Sequence, residues 1–358
     1  MDYRITAEDR ARFKRCRRQW DFASPKRRDL EPVGLVDPPL TAALMDALAV
    51  YYYPGTWDWP GDVTYSLVQK ALARSLEEAG AMDQLESGAA LLDCYDAWAQ
   101  TVDDFAPIRI GHDLDALVPD PREPSRGLST NDGSAVIYSC RVDLLAVDSA
   151  DDYWVVRHHV VDDWRDTEAL VRDEEAIAAC WAWEQDYLGM RIAGTIHNEV
   201  RVGGPLDRPA AQSDGTARAV AQHEPSGGGR SIPQHVRVSA KRSAPTSRAQ
   251  GADRTEQRIA GVLRRTRVRR TRDEIDAVGA MIGAEAIDMI SDPAIYPTFD
   301  AHCDVCAFRV PCLALTAGSD PEPLLAKGFR PRPVVDRPKP RLGQATWGFG
   351  RGAAPPHW

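Results

Sequence analysis

The chain has 358 residues, a net charge of −9 and an apolar fraction of 43%, so it can bury a sizeable core as one large domain or two smaller ones. No apolar run approaches a membrane span, and the charged stretch from Met1 to Arg18 excludes a secretory signal. An odd count of seven cysteines fits a reducing compartment, and the expectation is a soluble cytoplasmic protein without membrane contact. Charge is segregated: Arg10 to Arg28 holds nine Lys/Arg and one Asp, and Arg258 to Arg272 holds seven Arg and no acid, which leaves −24 on the remainder. Two basic segments on an otherwise acidic chain point to a focused phosphate-binding surface, with Arg264, Arg265, Arg269 and Arg270 as the nucleic-acid-contacting candidates. A solvated helix face is the bland alternative.

In chain order, Thr6 followed by Ala7-Glu8-Asp9 predicts a helix start, with Phe13, Cys16 and Trp20 on one face. Residues 40 to 105 read as helices broken at Tyr53-Pro54-Gly55, with core aromatics from Tyr51 to Trp59. Strands are expected from Ile108. Ala135 to Val147 and Tyr153 to Val161 form a hairpin across the turn Ser149-Ala150-Asp151-Asp152. A helix from about Glu168 to Leu188 follows, with Ile177, Cys180, Trp181, Glu184 and Leu188 sharing a face, and then a strand from Ile192 to Val202. Residues 203–255 lack aromatics, are crowded with Gly, Pro, Ser, Ala and Arg, and read as a disordered insertion. An Arg-rich helix is expected from about Glu256, and a capping box, Thr271-x-x-Glu274, starts another with Ile275, Val278, Ile282 and Met289 inward. Residues 316–358 form an extended Pro- and Gly-rich tail, a candidate partner-binding segment.

Cys16 lies alone in a basic, aromatic segment, whereas Cys303, Cys306 and Cys312 form C-x2-C-x5-C. Four soft thiolates complete either an iron–sulfur cluster or a zinc site, with reduced buried thiols as the plain alternative. Cys94, Cys140 and Cys180 sit in apolar-periodic segments and are expected to be core thiols.

This arrangement resembles the cluster-bearing branch of the PD-(D/E)XK nucleases, which includes AddB-type recombination nucleases and CRISPR-associated iron–sulfur exonucleases. The resemblance covers residues 1 to 315 and implies an α/β fold: a mixed sheet flanked by helices, with an Fe–S clasp joining the N- and C-terminal helical segments. One RecB-like domain would comprise an N-terminal helical part (1–105), a core (106–202) and C-terminal helices with the clasp (256–315). It also implies a 4Fe–4S cluster held by Cys16, Cys303, Cys306 and Cys312, DNA as the ligand, and Mg²⁺ or Mn²⁺ held by carboxylates on the hairpin.

Asp143, in Arg141-Val142-Asp143-Leu144-Leu145-Ala146-Val147, matches the family's first carboxylate. The second strand departs from the pattern, because Arg157 takes the carboxylate position and His159 the Lys position, both on one face of the strand. Asp46 stands where an upstream His is common, and Glu175 and Ala179 stand where Gln and Tyr often follow. Either Glu174 or Glu175 has taken over as the second carboxylate beside Asp143 and Asp46, giving an active Mg²⁺-dependent DNA exonuclease, or the site is dead and Arg157, His158 and His159 form a cationic phosphate-holding patch. The degenerate, DNA-binding form is the principal expectation. A non-catalytic assembly subunit that binds a partner through the C-terminal tail is the reading from another class. His158 and His159 together as metal ligands are disfavoured, since adjacent strand residues point to opposite faces.

Overall fold

The computed structural model describes residues 2–34, 38–202 and 259–332. The insertion expected at residues 203–255 and the end of the expected tail lie outside the described residues. The architecture is a mixed sheet flanked by helices, as expected. The N-terminal strand β1 (Tyr3–Thr6) leads into α1 (Ala7–Arg15) and α2 (Arg17–Ala23), followed by the short β2 (Leu30–Pro32). Three helices come next, α3 (Pro39–Tyr51), α4 (Gly61–Glu78) and α5 (Leu85–Val102). The sheet strands then begin with β3 (Phe105–Leu117), and β4 (Pro119–Asp120) with β5 (Glu123–Gly127) forms a small ribbon beside it.

The expected hairpin is β6 (Val136–Asp148) and β7 (Tyr153–Val161), joined through a turn in which Asp151 adopts a positive φ of 62°. The Asp148 carboxylate accepts the Ala150 and Asp152 amides and so fixes that turn. Two helices, α6 (Thr167–Val171) and α7 (Glu174–Asp186), replace the single helix read from Glu168 to Leu188. Asp173 interrupts it, because its carboxylate accepts the Ala176 amide and starts a new helix. Leu188, assigned to the buried face, lies beyond that helix and is 88% exposed. Strand β8 (Ile192–Arg201) pairs parallel with β7.

The Arg-rich segment is not the expected helix. Apart from a helical turn at 259–262 it is a strand, β9 (Leu263–Arg269), antiparallel to β8 from Gly194↔Arg269 to Val200↔Leu263. Arg helix propensity favoured the helix, but ladder pairing and ion pairs on neighbouring elements override it. Helix α8 (Arg272–Ile290) begins at Thr271 with the anticipated capping box, and Ile275, Val278, Ile282 and Met289 are all buried. Gly279 lets α8 approach α7, since a Cβ there would stand 2.2 Å from the Trp181 indole nitrogen. After α9 (Arg309–Thr316), the supposed tail forms α10 (Glu322–Gly328) and β10 (Phe329–Pro331), which pairs antiparallel with β2.

Two apolar layers cover the sheet. One joins Trp20, Tyr138, Leu145 and Val155 to α7 and α8, and the other joins Leu144, Trp154, Val156 and Ile196 to α3, α4 and α5. Cys140 and Cys180 are buried in the first and Cys94 in the second, as core thiols should be. Among the described residues, no helix is long and apolar enough to cross a membrane.

Arg265 ties the second layer together. Its guanidinium donates to Asp103 at 2.6 Å, to the Val102 carbonyl at 2.8 Å and to Asn198 Oδ1 at 2.7 Å, and it lies over the rings of Trp98 and Phe105. Both members of the ion pair are largely excluded from water, at 10% and 8% exposure. Arg265→Met would leave the Asp103 carboxylate buried without its cation, and a loss of about 3–5 kcal/mol is expected. Urea denaturation should show the midpoint falling with little change in m, and the double variant Arg265→Met/Asp103→Leu should recover part of the loss.

Candidate functional site

The four cysteines of the sequence motif meet. Cys16 is the junction between α1 and α2, with extended backbone at φ −161° and ψ 111°. It therefore does not ride a continuous helix with Phe13 and Trp20, as the i, i+3, i+7 spacing suggested. The break turns its sulfur toward the C-terminal segment, where Cys303 lies on a tight turn (Ala301–Val305), Cys306 directly follows that turn and Cys312 lies on α9. All four line one cavity of about 160 Å³, together with Arg18, Thr298, Phe299 and His302. The Thr298 amide donates to Cys16 Sγ at 3.5 Å, and Phe22, Phe308, Leu325 and Phe329 pack a small apolar core beside Cys306 and Cys312.

Burial pushes the Cys306 and Cys312 thiols up, and the charge of neighbouring cysteines adds to the effect. His302 Nε2 and Arg18 Nε, on two lining residues, are buried without a partner. The donor set is soft, converged and accompanied by orphaned polar atoms, so it fits a thiolate-bound metal group.

The hairpin site is split. Strands β6 and β7 pair from Val147↔Tyr153 only to Leu144↔Val156. Beyond that point β6 pairs with β1 and β7 continues along β8, so the strands fork at Asp143 and Arg157. Opposite the fork, Gly111 has φ +52°, and Val142 and Leu144 fall in different apolar layers. The strand slips phase at Asp143, which the simple alternation read from sequence did not anticipate. Asp143 Oδ2 accepts the His158 amide at 3.1 Å, and burial pushes its carboxyl above the usual range against the pull of Arg157.

Asp143 shares a pocket of about 130 Å³ with Asp46, Tyr52, Arg141 and His158, so two of the expected carboxylates do come together. Asp46 also accepts the Ser75 hydroxyl at 2.8 Å. Glu175 does not join them: it binds Arg157 at 2.8 Å. Glu174 pairs with Lys14 and Arg10. The expected cationic patch of Arg157, His158 and His159 is also absent. Arg157 is neutralised, His158 faces the opposite layer where it stacks on Tyr52, and His159 bonds His197. Burial pushes both His158 and His159 down to about 3, so neither carries charge at neutral pH.

The four proposed DNA-contacting arginines are likewise engaged. Arg264 pairs with Glu199, Arg265 with Asp103 and Arg269 with Asp152, while Arg270 donates to the Leu170 and Val171 carbonyls. Sequence reasoning missed His197 and Asp173, which become neighbours of His159 only through the parallel β7–β8 register and the α7 cap. The alternation Thr195-Ile196-His197 on a predicted strand was the available signal.

No family model matches the chain, and no curated protein matches it. Among solved structures, it is similar to the one titled "Crystal structure of SSO0001", at 10% identity and a TM-score of 0.30, over 77% of this chain and 94% of that one.

His158 gives a pH prediction. Its folded form stays neutral to about 3, while the unfolded chain takes up a proton near the ordinary value of about 6.5. The unfolded state then binds more protons between these values, so stability is lost as pH falls below 6.5. At pH 5 this one residue accounts for about 2 kcal/mol. His158→Phe, which keeps the ring against Tyr52, should flatten the thermal-stability profile between pH 7 and pH 5.

Proposed function

We propose that this chain is an iron–sulfur protein with a PD-(D/E)XK-like core whose hydrolytic site has been dismantled, and that it binds DNA without cutting it. The observation that carries the cluster is the convergence of Cys16, Cys303, Cys306 and Cys312 on one cavity. Cys16 and Cys303 lie 287 positions apart (303 − 16). The cavity between the thiols, with the resemblance carried by the cysteine motif, favours a polynuclear 4Fe–4S group over one zinc ion. When bound, the cluster would supply four iron–thiolate bonds linking the α1–α2 junction to the C-terminal turn. The Thr298 amide would donate to the Cys16 thiolate, and loading would release the protons that burial keeps on Cys306 and Cys312.

The loss of hydrolysis rests on the fork. Arg157 cannot bind a hard cation, it draws Glu175 away from Asp143, and His159 is taken up by His197. DNA as the ligand is supported by the family resemblance of the cysteine motif and hairpin. It is not supported by the β9 arginines, which act as counter-ions within the fold. One observation favours a second reading: Asp46 and Asp143 line the same pocket, so a Mg²⁺- or Mn²⁺-dependent exonuclease site could use that pair.

Anaerobically purified protein should be brown and contain iron and acid-labile sulfide. Cys16→Ser or Cys303→Ser should bleach it and lower its melting temperature. Stoichiometric zinc with no iron would overturn the cluster. Purified protein should shift a DNA duplex or single strand without cleaving it in Mg²⁺ or Mn²⁺, whereas cleavage abolished by Asp143→Ala and Asp46→Ala would establish the second reading.

A further inference from the structure

A third group of side chains belongs to neither the thiolate cavity nor the fork. His159 on β7, His197 on β8 and Asp173 at the start of α7 each bring one ligand atom within 4.8 Å of the other two. His159 Nε2 lies 3.0 Å from His197 Nδ1, with ring planes 13° apart. The far nitrogen of His197, Nε2, is 3.1 Å from the Thr195 hydroxyl, which fixes the ring's orientation as partners behind metal-binding imidazoles do. Asp173 uses Oδ1 to cap α7, and its Oδ2 is 3.3 Å from the Arg165 guanidinium. The same Arg165 nitrogen is 3.4 Å from both ring nitrogens of His159. A cation therefore already sits against the carboxylate and one imidazole.

We propose that His159, His197 and Asp173 are the ligands of a borderline divalent transition-metal ion, of which Zn²⁺ is the type, and that Arg165 holds the ion's place in the metal-free protein. Two imidazoles and one carboxylate suit this class and not Mg²⁺. Two nitrogens bound to one tetrahedral ion at 2.0–2.1 Å stand about 3.3 Å apart, so the 3.0 Å between these rings needs to open by only a few tenths of an ångström.

Two changes admit the ion. Arg165, on the irregular segment between β7 and α6, is 34% exposed and can swing into water, while its backbone amide stays on Glu199. The proton shared between the two facing nitrogens then moves to the outer nitrogen of His159 as Arg165 vacates it, so the nitrogens turn to the metal with no net proton change. Three protein ligands leave open positions for water or an anion. This site does not depend on the cluster reading, because it uses no cysteine.

The test is a Co²⁺ titration of tag-free protein followed by visible absorption, with Zn²⁺ as competitor. One equivalent should give the weak d–d bands of nitrogen and oxygen ligation, without thiolate-to-cobalt charge transfer, and Zn²⁺ should displace it. Asp173→Asn preserves the helix cap, since Asn caps as well as Asp, and should weaken binding about ten-fold or more. Arg165→Ala, which removes the competing cation, should tighten it about ten-fold. Circular dichroism confirms that both variants are folded. Cobalt spectra of thiolate type alone, or an affinity unmoved by both substitutions, would overturn the proposal.

Discussion

A cation placed on a sheet must be neutralised where it stands, and strand β9 is built around that constraint. It carries Arg264, Arg265, Arg267 and Arg269 within seven residues. Each meets a carboxylate from another element: Glu199 on β8, Asp103 and Asp104 just after α5, and Asp152 in the β6–β7 turn. Each guanidinium also lies over an aromatic ring, Trp164, Trp98 with Phe105, or Trp154. The strand holds its place by charge and ring stacking as much as by apolar burial, and it links the helical layer, the hairpin turn and the sheet edge. The acidic remainder of the chain is thus in part the counter-charge of its basic segments.

The same logic reaches the fork. Arg157 on β7 holds Glu175 on α7, as Arg10 on α1 holds Glu285 on α8. A carboxylate committed to a guanidinium at 2.8 Å is a poor ligand for a hard cation, which must strip that partner before it binds. Arg157 therefore withholds Glu175 from Asp143 on the neighbouring strand. The imidazoles follow a different rule. Buried among guanidinium groups, they stay neutral.

Much of the fold was legible in local pattern. The β6–β7 hairpin shows in its β-branched and aromatic runs, β8 in its apolar alternation, and α8 in the Thr271–Glu274 capping box. The cysteine convergence was legible in spacing, but the turn of chain that achieves it was not, because nothing local marks Cys16 as a helix break. Strand β9 was illegible for a related reason: its partners Asp103, Asp152 and Glu199 are remote in sequence, and arginine alone favours a helix. The phase slip at Asp143 depends on Gly111 across the sheet, and the His159–His197 contact depends on a parallel register; neither is a property of one segment.

The separation of Cys16 from its three companions also sets an order of events at the ribosome. At about 5–20 residues per second, the 287 positions between Cys16 and Cys303 take roughly 15 to 60 s to synthesise. Throughout that interval the first cysteine waits in a nascent chain whose clasp does not yet exist. Strand β1 is in the same position until β6 arrives to pair with it. The four sulfurs therefore come together only after translation has passed Cys312, and a chain stalled before Cys303 carries Cys16 without the three partners that line its cavity.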